Sequence, residues 1–134
     1  MDEIVGIGTD IVEIERIRAI LEHFGGRFAR RILTSEEFHE FQTSKSPGRL
    51  LAKRFAAKEA VAKAMGLGFR DGLTFSSIGI AHDENGKPEV VYKGRAVALV
   101  RALGITGSLI SISDERHYAV AFAILTKAGK VKPS

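Results

Sequence analysis

The segment RLLAKRFAAKEAVAKAM, residues 49–65, constrains this chain more than any other. Alanine, leucine, lysine and arginine are strong helix formers, and neither proline nor glycine interrupts them before Gly66. The segment predicts one long helix, and the remaining elements must be built against it. At about 100° per residue, Ala52, Ala56, Glu59 and Lys63 fall on one face of that helix. Small side chains there leave a shallow recess beside one carboxylate and one ammonium. Leu51, Phe55 and Ala62 lie next to this face and are expected in the core. Glu59 and Lys63 are either an ordinary i,i+4 pair or the margin of a ligand site, and spacing alone favours the ordinary pair.

The flanking segments predict the other elements. IVGIGTDIV (4–12) is a short apolar strand running into a loop, with Gly6 and Gly8 marking a close backbone approach or a bulge. Ile14, Ile17, Leu21 and Phe24 form a helical stripe that Gly25-Gly26 ends. RFARRIL (27–33) is a short helix or a turn. Thr34 and Glu37 have capping-box spacing and open a further helix carrying Phe38 and Phe41. Residues 43–48 break the pattern. Strands are expected at 73–82 and 88–92, joined through Asn85-Gly86. A helix follows at 94–103, closed by Gly104, and a second hairpin at 108–114 and 118–126. The order β-α-α-α-β-β-α-β-β predicts a single α+β domain over residues 1–126, with a mostly antiparallel sheet packed on the long helix. Residues 127–134 form a basic stretch without apolar pattern and are expected to be a disordered tail.

Two further features bear on chemistry. Gly8-Thr9-Asp10 sits at the end of the first strand. Asp10 is placed equally well to ligate a hard cation such as Mg²⁺ or to cap the helix that follows. Gly66-Leu67-Gly68 directly follows the long helix. Its N–H groups suit either a helix C-cap or a phosphate beside Lys63. The spacing of a P-loop is absent.

Composition removes other chemistries. The 134 residues contain no cysteine, so disulfides, thiolate metal sites and a cysteine nucleophile are excluded. His23, His39, His82 and His117 have no metal-ligand spacing, and no serine elbow is present. No apolar run reaches the length needed to cross a bilayer, and Asp2 and Glu3 replace the basic start of a secretory signal. A cytoplasmic location is expected. Net charge is +4, unevenly spread: residues 1–15 carry five acids and no base, whereas residues 16–63 carry eleven Lys/Arg against five acids. A basic middle of this kind suits an acidic partner, such as nucleic acid, anionic lipid, a phosphorylated cofactor or an acidic protein, although composition alone favours an ordinary solvated, mixed-charge surface.

Taken together, GIGTDIVEIERI (6–17), RFARRILTSEE (27–37), RFAAKEAVAKAMGLG (54–68), NGKPEV (85–90) and SISDERHYAVAFAIL (111–125) resemble the holo-[acyl-carrier-protein] synthases, the small stand-alone class of phosphopantetheinyl transferases. The likeness covers nearly the whole chain, and GxD together with RFAxKEAxxKAxGxG in this order is specific. It implies the phosphopantetheinyl transferase fold, assembled as a homotrimer with active sites between subunits. It implies transfer of 4′-phosphopantetheine from coenzyme A to a serine of apo-acyl-carrier protein, releasing adenosine 3′,5′-bisphosphate, in fatty acid biosynthesis. It further implies Mg²⁺ held by Asp10 and Glu59, with Lys63 near the pyrophosphate. Carrier-protein docking would fall to Arg16 and Arg27, with Phe28 as an apolar contact. The resemblance leaves open which group accepts the serine proton.

One departure stands out. Many members of the family carry a histidine after Ser-x-Ser/Thr in the penultimate strand. Here Ser111-Ile112-Ser113 is followed by Asp114, and the nearest histidine is His117, so no catalytic role passes to either. Two other readings compete: a small basic nucleic-acid-binding module, which would want aromatic side chains on a basic sheet, and a non-catalytic oligomerisation domain. With the resemblance, the expectation is no nucleic-acid partner and no membrane partner.

Overall fold

A computed structural model describes residues 2–69 and 72–129. The order is β1 (Glu3–Glu13), α1 (Ile14–Phe24), α2 (Gly26–Ile32), α3 (Ser35–Thr43), α4 (Pro47–Ala64), a 3₁₀ turn (Phe75–Ser77), β2 (Ile78–His82), β3 (Pro88–Tyr92), α5 (Arg95–Leu103), β4 (Gly107–Asp114) and β5 (Tyr118–Lys127). The segment left open between helix and turn is the helix α2, so four helices separate β1 from β2. Of the expected tail, Lys127 closes β5, and residues 130–134 lie outside the described residues.

All strand pairs are antiparallel, but they form two sheets instead of one: β1-β5-β4 and the hairpin β2-β3. The Tyr92 hydroxyl and the Ser108 hydroxyl share a hydrogen bond that links them. The β2–β3 connection spans residues 83–87, longer than a two-residue Asn-Gly turn. The Asp83 carboxylate organises it by accepting from the N–H groups of Asn85 and Lys87, and Gly86 takes the left-handed φ of +81°.

The long helix α4 packs on one face of the three-stranded sheet, and the contact is made by very small residues. Ala52, Ala56, Ala57, Ala60 and Ala64 of α4 are buried, as are Ala119, Ala121 and Ala123 of the central strand β5. On β1 the contact is backbone to backbone. A Cβ on Gly8 would stand 2.0 Å from the Ala60 carbonyl oxygen, and one on Gly6 would stand 1.9 Å from that of Ala64. These glycines therefore permit the close approach, and the β1 register also shifts at a bulge between Ile4 and Gly6.

Two local expectations are met. The Thr34–Glu37 capping box forms in full, and α5 ends at Gly104 in the left-handed region. Two are revised. Strand β1 continues through Glu13 with no loop before α1. Phe24, placed on the apolar stripe of α1, is 58% exposed because the stripe runs past the edge of the core. No helix among the described residues is long and apolar enough to cross a membrane.

Candidate active site

The β1–α4 seam brings together residues far apart in sequence. Asp10 lies inside β1, paired with Ala121 of β5, four residues before the start of α1. It does not cap that helix. The N-cap position belongs to Glu13, which makes no side-chain cap, and the first helical N–H, that of Ile14, donates to the carbonyl of His117 at 2.8 Å. The Asp10 side chain instead meets α4. The Lys63 ammonium donates to Asp10 Oδ1 at 2.8 Å and to the Thr9 carbonyl at 3.0 Å. Lys63 is half exposed and Asp10 mostly covered.

Glu59 lies one turn earlier on the same side of α4 and is half-buried. Burial pushes its carboxyl above the usual range, the neighbouring Asp10 charge pushes it further up, and Lys63 opposes both. The two carboxylates are thus electrostatic neighbours, and Lys63 partners Asp10 instead of the Glu59 that the i,i+4 spacing offered. No cluster of three or more His, Asp or Glu occurs among the described residues. Two carboxylates match the donor set of Mg²⁺, which uses one or two protein carboxylates and fills its remaining positions with phosphate oxygens and water.

Gly66 and Gly68 adopt φ of +78° and +61°. Their N–H groups donate to the carbonyls of Lys63 and Ala62, closing α4 itself. This is the C-cap geometry, so the two amides are engaged with the helix. Nothing lies within 4 Å of a Cβ built on either, which leaves open space beside Lys63.

Arg27 and Phe28 line a groove of about 830 Å³ between α1 and α2, with Ile20, Phe24, Arg30 and Arg31. Arg16 is not part of its lining. It sits one turn before Ile20 on α1. Phe24 was expected on the apolar stripe of α1, whereas Ile20, Arg30 and Arg31 were not picked out in sequence, although RFARRIL carried the two arginines in its charge.

Asp114, in place of the family's histidine, is held at the end of β4. Arg49 donates to its Oδ2 at 2.8 Å and to the carbonyls of Glu115 and Arg116 at 2.6 and 3.3 Å. Lys53 stands 3.5 Å from the other oxygen. The Arg49 hydrogen bond holds the Asp114 carboxyl below its usual range, although burial opposes it. The residue therefore anchors the β4–β5 turn to α4, and His117 lies exposed in that turn. Close by, Arg49, Lys53, Arg54 and His82 line a basic recess of about 220 Å³. The Nε of Arg54 is buried with no hydrogen-bond partner.

The opposite face of the three-stranded sheet carries Ile7, Ile11, Leu109, Val120 and Phe122, all exposed. It presents no lysine or arginine in the paired register, so it lacks the basic aromatic surface that a single-strand binder needs.

Comparison with known proteins identifies the family. The family model described as the 4′-phosphopantetheinyl transferase superfamily matches residues 6–123. The holo-[acyl-carrier-protein] synthase of Nitrosococcus oceani is 55% identical over 122 residues, 91% of this chain and 79% of that protein. The crystal structure of the Neisseria meningitidis holo-[acyl-carrier-protein] synthase superposes with a TM-score of 0.86 at 48% identity, covering 92% of this chain and 98% of that one. The Bacillus anthracis enzyme, solved in complex with CoA (3′,5′-ADP), gives 0.79 at 34% identity over 93% and 98%. The chain therefore belongs to the holo-[acyl-carrier-protein] synthases of the 4′-phosphopantetheinyl transferase superfamily.

Proposed function

We propose that the chain transfers 4′-phosphopantetheine from coenzyme A to a serine of apo-acyl-carrier protein, in fatty acid biosynthesis, with the β1–α4 seam as the reacting site. The observation that carries this reading is the meeting of Asp10, Glu59 and Lys63, contributed by two elements with 48 residues between Asp10 and Glu59. The serine oxygen forms a bond to the phosphorus bearing pantetheine. The bond from that phosphorus to the bridging oxygen breaks, and adenosine 3′,5′-bisphosphate leaves. The serine proton is lost as the bond forms, and a water at the site, or Glu59 acting through one, would accept it.

Asp10 and Glu59 would hold Mg²⁺, and that ion supplies neutralisation of charge on the pyrophosphate oxygens. Lys63 would exchange Asp10 for a phosphate oxygen, since its side chain is half exposed. The recess of Arg49, Lys53, Arg54 and His82 suits the further phosphate of coenzyme A by its positive charge. Arg27 and Phe28, in the groove of α1 and α2, together with Arg16 on α1, would receive an acidic carrier-protein surface, a contact that weakens with salt.

A homotrimer is supported by the open sheet face. Ile7, Ile11 and Leu109 are 60%, 63% and 53% exposed there, an apolar surface that a second copy would cover. Light scattering should give a trimer mass, and Ile11→Glu should reduce it. The cytoplasm is the expected compartment.

Incubation with coenzyme A, Mg²⁺ and apo-acyl-carrier protein should yield a carrier protein heavier by one phosphopantetheine on mass spectrometry. Asp10→Ala and Glu59→Ala should each abolish it while preserving the circular-dichroism spectrum. Near-normal turnover in either variant rules out the two-carboxylate site.

A further inference from the structure

The contact that seats α4 on the sheet is smooth. Alanines face alanines, and the β1 side is glycine against helix carbonyls. Such a contact allows close approach but has few projecting side chains to interlock, so it sets the distance of α4 better than its rotation or slide. Glu59 and Lys63 nevertheless need a defined rotation to stand opposite Asp10.

The other side of α4 carries a directional contact. Lys58, directly before Glu59, is 0% exposed. Its ammonium has three donors, and each has a partner: Glu37 Oε1 at 2.6 Å, the Ile32 carbonyl at 2.6 Å and the Phe75 carbonyl at 3.0 Å. Glu37 is likewise buried. Its Oε1 also accepts from the Thr34 N–H at 2.8 Å, and its Oε2 accepts from the Ile80 N–H at 2.7 Å. One ion pair thus joins α4 to the end of α2, the start of α3, the 3₁₀ turn and β2.

Stability alone does not account for such a pair, because apolar side chains of similar volume generally serve a core as well or better. What it adds is geometry, since five hydrogen bonds in fixed directions converge on it. We propose that Lys58 and Glu37 are positioning residues that fix the rotation and slide of α4 and so hold Glu59 and Lys63 at Asp10. Consecutive helical residues point about 100° apart, so locking Lys58 on one side aims Glu59 toward the seam. This inference rests on the two-carboxylate reading above.

The test uses the full chain with Lys58→Met and Glu37→Gln combined. Methionine keeps the apolar stem, and glutamine keeps an acceptor without stranding a charge. Folding is read by circular dichroism, divalent-ion binding by Mn²⁺ electron paramagnetic resonance, and turnover by steady-state kinetics. The folded double variant should bind Mn²⁺ about tenfold more weakly and lose about 10- to 100-fold in kcat, the scale of a site displaced by an ångström. Its KM for carrier protein should shift less than about threefold. A folded variant with wild-type Mn²⁺ affinity and kcat, whatever its melting temperature, overturns the proposal.

Should the double variant fail to fold, Glu37→Gln alone decides. It leaves the two carbonyl contacts of Lys58 in place and should shift Mn²⁺ affinity and kcat in the same direction by a smaller factor. Wild-type values for both overturn the proposal. Asp10→Asn is the control for the underlying reading. If wild type binds no Mn²⁺, or Asp10→Asn binds it equally well, the two-carboxylate site fails and this inference fails with it.

Discussion

Two lysine–carboxylate pairs lie on α4 within five residues of each other, at nearly equal distances: Lys58–Glu37 at 2.6 Å and Lys63–Asp10 at 2.8 Å. Their surroundings differ. Lys58 and Glu37 have side-chain exposures of 0% and 3%, whereas Lys63 and Asp10 have 49% and 15%. In the first pair every ammonium donor is spent on the protein, and burial pushes Lys58 below the usual lysine range while Glu37 pulls it back. In the second, the ammonium keeps an open side. The contrast separates two uses of one chemistry. A fully enclosed pair cannot exchange partners and serves as a fastening. A half-open pair can give up its carboxylate to a cation and its ammonium to a phosphate.

Exchanging these behaviours would break the contrast. Lys58→Ala has the largest expected effect, about 3–5 kcal/mol of stability in chemical denaturation, because it leaves the Glu37 charge buried and unpaired. Gly8→Ala comes next. A methyl 2.0 Å from the Ala60 carbonyl oxygen must push β1 off α4, costing about 3 kcal/mol and disrupting the Asp10 site. That variant sharpens the contrast by opening the seam while both lysines remain. Lys63→Met should reverse the pattern of Lys58→Ala, changing stability by less than about 1 kcal/mol because its pair is half exposed. Turnover should nonetheless fall about 100-fold as a fixed positive charge beside the reacting phosphate is lost. A Lys63→Met loss of stability as large as that of Lys58→Ala would remove the distinction.

The smallest effect is expected at a third pair, Asp114 with Arg49. The folded-state pKa of Asp114 is lowered, so its stabilisation is present above the unfolded carboxylate value and is lost as pH falls through the lower folded value. Asp114→Asn should therefore cost less than about 1 kcal/mol at neutral pH, after allowance for solvent screening. The difference from wild type should vanish in melts recorded below the usual carboxylate range.

Much of the site was legible before any coordinates. The run of alanines in 49–65 marked the helix face that packs closely, and Gly6 and Gly8 marked the approach, since both signals are local. Helical periodicity placed Glu59 and Lys63 on one face, where spacing favoured an ordinary pair, and the resemblance implied their roles. Other assignments needed contacts that periodicity does not carry. Asp10 fitted a helix cap because a helix was expected just after it, and only the extension of β1 to Glu13 removed that alternative. Glu37 was visible as the partner of Thr34 in a capping box. Nothing in the spacing showed that the same carboxylate also meets Lys58 and Ile80, 21 and 43 residues further on. Asp114 stood out as a departure from the family, and its engagement by Arg49 appeared only with the packing of the β4–β5 turn on α4.

The amino-acid sequence by itself determined most of the elements, the small-residue seam and the family, because helix propensity, glycine geometry and motif order are set by neighbours along the chain. Tertiary structure alone decided which lysine of the KEAVAK run is enclosed and which remains open, and which carboxylate each one meets. Burial depends on elements that arrive from elsewhere in the chain, and it is burial that turns one ion pair into a fastening and leaves the other able to exchange.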